Sequence, residues 1–284
     1  MEGNRQLNVT VCQTDIIWAD AKANRESARK IIESCIKNSD KNESPAQGDR
    51  LFVLPEMWNT GFGMKTSEIA EKEKESETLR WMHLMADTFR TALCGSIPVI
   101  ARDGTCRNRL YFVKPDEPEA EFYDKHHLFT YGCENDSYVA GNKHVIVEWG
   151  GLRILLMVCY DLRFPVWSRY WYAGEYDAII YVANWPDKRQ IGWDILTKAR
   201  AIENQSYVIA VNRIGSDPIT TYGGGSRIID ATGKVLAECE PGKQSTASAI
   251  LTKSKLLERR NHFKVLPDMD RIPLKTSRET KKVT

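Results

Sequence analysis

Three segments of the sequence end in side chains able to do covalent chemistry. The apolar run Leu152–Val158 (LRILLMV) leads into Cys159, followed by Tyr160, Asp161, Leu162, Arg163, Phe164 and Pro165. A run of that length reads as a buried strand and Pro165 as a helix opener, so the thiol is expected on a strand-to-helix turn. Unpaired N–H groups at a helix start lower a thiol pKa and can hold an oxyanion. A second apolar segment, LFVLP from Leu51, delivers Glu56, and a short alternating strand, EFYD from Glu121, delivers Lys125 ahead of His126 and His127. Parallel sheets place chemistry at the carboxyl ends of their strands, so a carboxylate, an ammonium and a thiol at three such ends could converge. Taken singly, each has a bland reading: an inert buried cysteine, a solvated glutamate, a surface lysine.

The wording of these segments resembles a known family. LPEMWNTGF from Leu54, YDKHHLF from Tyr123 and CYDLRFP from Cys159 resemble the three signature blocks of the nitrilase superfamily of carbon–nitrogen hydrolases, in the same order. The resemblance runs from about residue 8 to about residue 270, and LRFPVWSR together with DAIIYVANWP from Asp177 is similar to the omega-amidase branch. It implies an α/β fold, a four-layer αββα sandwich of two β-sheets with helices on the outer faces. It also implies Glu56 and Lys125 as catalytic residues, Cys159 as nucleophile, and no cofactor. Glu134, in TYGCEND, falls where the family carries a second catalytic glutamate, although only the carboxylate matches there. The branch implies short 2-oxo dicarboxylate monoamides as substrates, and a homodimer or higher homo-oligomer, for which the aromatic segment VWSRYWYA at 166–173 is a candidate contact as well as a candidate core piece.

The chemistry asks for the same residue types on its own terms. A thiol with an ordinary pKa near ~8.5 is mostly protonated at neutral pH, so a base such as Glu56 must take its proton before sulfur attacks an amide carbon. Attack builds charge on oxygen, for which Lys125 and the Tyr160 N–H are the candidate donors. Nitrogen leaves only when protonated, so Glu56 returns the proton; ammonia departs, a thioester remains, and water hydrolyses it. Glu134 could orient Lys125 or that water.

The residues around these three ends carry two readings each. Trp58, Phe62, Tyr131 and Trp185 are either a small pocket wall or core packing. Arg163 either pairs a substrate carboxylate or braces its turn, and Arg189 is a second candidate cation for that carboxylate. Nitrile hydrolysis by the same thiol, a non-catalytic scaffold of the same fold, and a smaller single-sheet cysteine hydrolase are the rivals. Burying Glu, Lys and Cys together without using them argues against a scaffold. Chain length and two rounds of strands argue against the smaller fold.

Composition restricts the setting. The 284 residues carry 40 Lys+Arg against 38 Asp+Glu, so no whole-chain field selects nucleic acid or an anionic membrane. Residues 1–274 read as one catalytic domain and 275–284 as a basic peripheral tail. Seven cysteines, an odd number with no C-x-x-C pair, with no signal peptide and no long apolar stretch, place the chain in a reducing cytoplasm. The histidines lack metal-ligand spacing, so no metal is expected. Gly223-Gly224-Gly225-Ser226 fails the context test for a phosphate loop, and no Rossmann fingerprint is present.

The periodicity predicts strands at 7–12, 51–54, 92–100, 109–113, 121–123, 145–148, 152–158, 178–183, 207–212, 226–230, 234–238 and 247–251. Helices are predicted at 20–36, capped by Asp20, through most of 67–90, from Pro165, at 191–204 and from Ser254. Within 67–90, Trp81, Leu84, Met85, Thr88 and Phe89 form the expected core stripe.

Overall fold

In the structure, a computed structural model that describes residues 5–40 and 48–270, the strands divide into two large sheets. The first contains β1 (Gln6–Gln13), β2 (Asp49–Val53), β3 (Glu71–Lys72), β4 (Ala92–Ile100), β5 (Cys106–Val113), β6 (Glu121–Asp124) and β15 (Ser245–Thr252). Its order is β15-β1-β2-β4-β5-β6, with β3 added beside β4. The second contains β7 (Ile146–Trp149), β8 (Leu152–Val158), β9 (Ala178–Ala183), β10 (Tyr207–Asn212), β13 (Arg227–Ile229) and β14 (Val235–Glu238), in the order β14-β13-β10-β9-β8-β7. A hairpin of β11 (Ile214–Ser216) and β12 (Thr221–Gly223), absent from the predicted elements, stands apart.

Alternation along the strands explains the layering, because successive side chains point to opposite faces. Leu51 and Val53 of β2 face the core between the sheets, while Phe52 and Leu54 join a second core beneath helices α1 (Ala21–Asp40) and α3 (Glu77–Phe89). The strands β8, β9 and β10 are buried on both faces and read as continuous apolar runs. Their outer face is covered by α6 (Gln190–Glu203), which contributes Trp193 and Ala201 to the same continuous buried cluster. The result is helix, sheet, sheet, helix. Helix α7 (Lys253–His262) adds Leu256 to the same cluster, and α2 (Thr66–Ile69), α4 (Glu134–Ser137) and α5 (Tyr170–Ala173) are single turns. Among the described residues no helix is long and apolar enough to cross a membrane.

Asp20 caps α1 as expected, accepting from the Ala23 N–H at 2.9 Å. The helix predicted through 67–90 is broken instead. Ser76 accepts from the Leu79 N–H at 2.9 Å and so starts a new helix, while the Glu71 carboxylate takes the Thr78 N–H and the Ser76 hydroxyl. The core face of α3 is accordingly Met82, Met85 and Ala86; Leu84 and Thr88, assigned to the stripe, are exposed. No α-helix starts at Pro165 either. A 3₁₀ turn, Cys159–Arg163, precedes it and only Tyr170–Ala173 is helical, with Trp167 and Tyr170 buried in the chain's own core. The polar stretch after residue 38 contains the end of α1, and residues 41–47 and the basic tail 275–284 lie outside the described residues.

Candidate active site

Strand register brings the reactive ends together. β8 runs parallel to β9, and β9 to β10, with Val158 opposite Val182 and Ala183 opposite Asn212, so Cys159, Asn184 and Arg213 leave one edge of the second sheet. In the first sheet β2 is parallel to β4; β5 runs antiparallel to β4 and β6 antiparallel to β5, so Glu56 and Lys125 also leave a common edge. The two edges meet: Lys125 Nζ lies 2.8 Å from Glu56 Oε1 and 2.8 Å from Glu134 Oε2. All three side chains are fully enclosed. Cys159 is 9% exposed, with Sγ 4.0 Å from the Asn184 carbonyl oxygen. It is also in electrostatic contact with Glu56, Lys125 and Glu134.

Two asparagines that the sequence reading passed over hold this cluster. Asn108 Nδ2 donates to Glu56 Oε1 at 2.8 Å and to Glu134 Oε1 at 3.0 Å, a neutral bridge between two like charges. Its orientation is fixed because Ser96 Oγ donates to Asn108 Oδ1 at 2.9 Å and itself accepts from the Met57 N–H. The Asn184 N–H donates to Glu56 Oε2 at 2.8 Å, and Asn184 Nδ2 to the Glu56 main-chain oxygen at 2.7 Å. Glu134 opens its helical turn from Cys133, which adopts a left-handed φ of 58°, and accepts from the Phe129 N–H at 2.6 Å. Both asparagines had a signal. Asn108 stands in phase with the inward Leu110 and Phe112 on one strand, and Asn184 ends an apolar run just as Cys159 does.

Burial opposes charge on Lys125, but Glu134 and Glu56 more than compensate and hold its pKa above the ordinary lysine value. Burial first, and then Glu56, raise the pKa of Glu134. The Cys159 thiol is pushed well up by burial and by the neighbouring Glu56 charge, against the pull of Lys125. Burial and the neighbouring carboxylates together favour the thiol over the thiolate. The expectation that a helix start would lower the thiol pKa is overturned: the turn is 3₁₀, and burial and like charge win.

Cys159 adopts a left-handed φ of 44°, a strained conformation for a side-chain-bearing residue. Asp161 holds that turn in place. Its carboxylate accepts from the Val158 N–H (3.1 Å), the Tyr123 hydroxyl (2.7 Å), the His127 N–H (2.9 Å) and His127 Nδ1 (2.8 Å). Burial alone would raise the Asp161 pKa; the His127 and Tyr123 hydrogen bonds hold it below the usual aspartate range. The Trp167 indole donates to the Tyr123 oxygen at 3.1 Å and stacks between His126 and His144. The two adjacent histidines thus strap the Lys125 loop to the nucleophile turn.

The remaining predicted residues separate. Phe62 lies with its ring 5.3 Å from Lys125 Nζ and packs near Phe129, which in turn meets the Tyr160 ring. Tyr160 stands in the first turn of the 3₁₀ segment, where opening N–H groups have no intrahelical partner. Trp58 does not reach the site. It is buried in the core under α3, against Trp81 and over Gly95, where a Cβ would come within 2.7 Å of its ring. Trp185 is buried, and its ring carries the Arg163 guanidinium at 4.7 Å. Among the described residues the hydrogen bond that braces the Cys159–Arg163 turn at Leu162 comes from Arg200, which donates to the Leu162 carbonyl, and none is made there by Arg163. Arg189 lies over Phe129 and over Tyr131, which is 81% exposed at the rim. Among the described residues neither Arg163 nor Arg189 makes an ion pair.

A buried carboxylate, ammonium and thiol on the facing edges of two sheets define a thiol hydrolase of the αββα type. Residues 8–260 match the carbon-nitrogen hydrolase family, and the chain belongs to it. It is 38% identical over 269 residues to the omega-amidase YafV of Escherichia coli K12, covering 94% of this chain and 98% of the relative. To the 2-oxoglutaramate amidase of Bacillus subtilis it is 30% identical over 230 residues, covering 81% and 85%. Among solved structures it resembles XC1258 of Xanthomonas campestris, a CN-hydrolase superfamily protein with an arsenic adduct in its active site. The TM-score is 0.86 at 33% identity, covering 95% of this chain and 99% of the other.

Proposed function

We propose that this carbon–nitrogen hydrolase is an omega-amidase that converts short 2-oxo dicarboxylate monoamides to the keto acid and ammonia. The observation that carries the reading is Lys125 held at 2.8 Å by both Glu56 and Glu134 next to the Cys159 thiol. An ammonium has three N–H donors, and two are spent on the carboxylates. The third, with the Tyr160 N–H, receives the oxyanion when Cys159 attacks. Glu56 takes the thiol proton as the C–S bond forms and passes it to nitrogen as the C–N bond breaks. Ammonia leaves, and water deprotonated by Glu56 releases the acid from the thioester. Glu134 acts through Lys125, holding it in register.

The names borne by the Escherichia and Bacillus relatives support the substrate class. A distal carboxylate calls for a cation, and Arg163 and Arg189 are guanidinium groups beside the site's aromatic residues that have no ion-pair partner among the described residues. Seven free cysteines support a cytoplasmic setting. A second copy is expected on α6, whose Ile191, Ile195 and Ile202 share one exposed face, rather than on the aromatic segment at 166–173.

Ammonia release from 2-oxoglutaramate and 2-oxosuccinamate, set beside neutral amides and nitriles, tests the reading. Turnover is expected for the two acids and none for Cys159→Ala, with Arg163→Ala or Arg189→Ala raising KM for the acids alone. Retained turnover in Cys159→Ala, or turnover of nitriles only, overturns it.

A further inference from the structure

We propose that Asn184 makes the enzyme selective for a carboxamide, its Oδ1 accepting a hydrogen bond from the –NH2 that becomes ammonia. The proposal rests on the reaction read above and adds the group that distinguishes an amide from an ester or a nitrile.

Asn184 is 6% exposed and touches both groups that the reaction uses. Its carbonyl lies 4.0 Å from Cys159 Sγ, its N–H is 2.8 Å from Glu56 Oε2, and its Nδ2 is 2.7 Å from the Glu56 main-chain oxygen. A carbonyl oxygen only accepts, so the carboxamide cannot be flipped: Nδ2 faces Glu56 and Oδ1 turns away from it. Oδ1 is sealed from solvent and accepts nothing from the described residues. Buried acceptors are nearly always paired, and one left open on the residue whose main-chain oxygen faces the nucleophile points to a donor on the substrate.

The Glu56 hydrogen bonds indicate where that donor sits. Oε1 already accepts from Lys125 and Asn108, whereas Oε2 accepts one short bond, from the Asn184 N–H. The lone pair free to carry the proton from sulfur to nitrogen is therefore on Oε2. The leaving nitrogen must approach Oε2 to receive that proton, and Asn184 Nδ2 is itself 3.5 Å from the same oxygen. An amide nitrogen arrives with two N–H donors and leaves as ammonia, so a contact to Oδ1 holds throughout. An ester oxygen or a nitrile nitrogen would present a lone pair to it instead.

2-Oxoglutaramate and the 5-methyl ester of 2-oxoglutarate provide the test, because both give the same acyl thioester on Cys159, one by breaking C–N and releasing ammonia, the other by breaking C–O and releasing methanol. With Asn184→Ala, kcat/KM for 2-oxoglutaramate is expected to fall about 100-fold and for the ester less than about tenfold. Asn184→Ser makes the same comparison if the alanine variant does not fold. Equal losses for both compounds would show that Asn184 merely supports Glu56, and would overturn this inference while leaving the reaction intact. If the unaltered protein turns over neither compound, the reaction reading fails, and this inference fails with it.

Discussion

Replacing Asp161 by Asn tests whether the strained nucleophile turn is held from beneath. The carboxylate gathers four donors within 3.1 Å. An asparagine oxygen can keep the two from His127, but its NH2 then confronts the Val158 N–H, donor against donor. Leaving one buried backbone donor unpaired costs about 1–3 kcal/mol, and hydrogen bonds to a charged acceptor are worth about 1.5–3 kcal/mol, so a loss near 3 kcal/mol is expected. For a chain of this size that lowers Tm by roughly 6–12 °C. The pH dependence follows from the depressed pKa of Asp161. Its contribution is fully present above the unfolded value near 3.8 and is lost as the pH falls through the lower folded value. Calorimetry of both proteins should therefore show the full Tm gap at neutral pH and a shrinking gap in strong acid. Turnover should fall as well, since Cys159 no longer has a fixed φ. A variant as stable and as active as the parent, or a gap that persists unchanged in acid, would refute the strap.

Lys125→Met should leave two buried carboxylates without their cation, abolish turnover, and lower stability by about 3–5 kcal/mol in urea unfolding at neutral pH. Acidification should restore part of that loss, because a carboxyl whose folded pKa is raised destabilises the fold in full above that value, and the penalty fades as the pH falls to the unfolded value. Iodoacetamide labelling of Cys159 should keep accelerating through the alkaline range, as burial and Glu56 raise the thiol pKa; a plateau near neutral pH would contradict that electrostatic picture. Ile195→Glu should convert a dimer to a monomer in sedimentation velocity, and an unchanged sedimentation coefficient would remove α6 from the interface.

Strands buried on both faces were legible to the residue. Leu152–Val158, Ala178–Ala183 and Tyr207–Asn212 end where predicted because nothing but apolar side chains fits between two layers. Glu56 and Cys159 were legible for a related reason, each being the first polar group after such a run, and Lys125 because it follows a short alternating strand. Glu134 rested on resemblance alone. Asn108 and Asn184 were not legible as ligands of Glu56, since their role lies in hydrogen bonds across 52 and 128 residues of chain. Trp58 was left open between pocket wall and core because position after Glu56 does not say which face of the sheet a side chain takes, and it lies in the core. The break before Ser76 was missed because it depends on the Glu71 carboxylate folding back, a tertiary choice that overrides helical spacing.

Strand β15 pairs with the whole of β1, Gln6 opposite Thr252 and Gln13 opposite Ser245. During synthesis on the ribosome, the sheet that carries Glu56 and Lys125 therefore waits with an open edge until Ser245–Thr252 has been made, while the sheet bearing the cysteine emerges in between. A stop codon ahead of Ser245 would leave β1 as an unprotected template for aggregation rather than a smaller working enzyme.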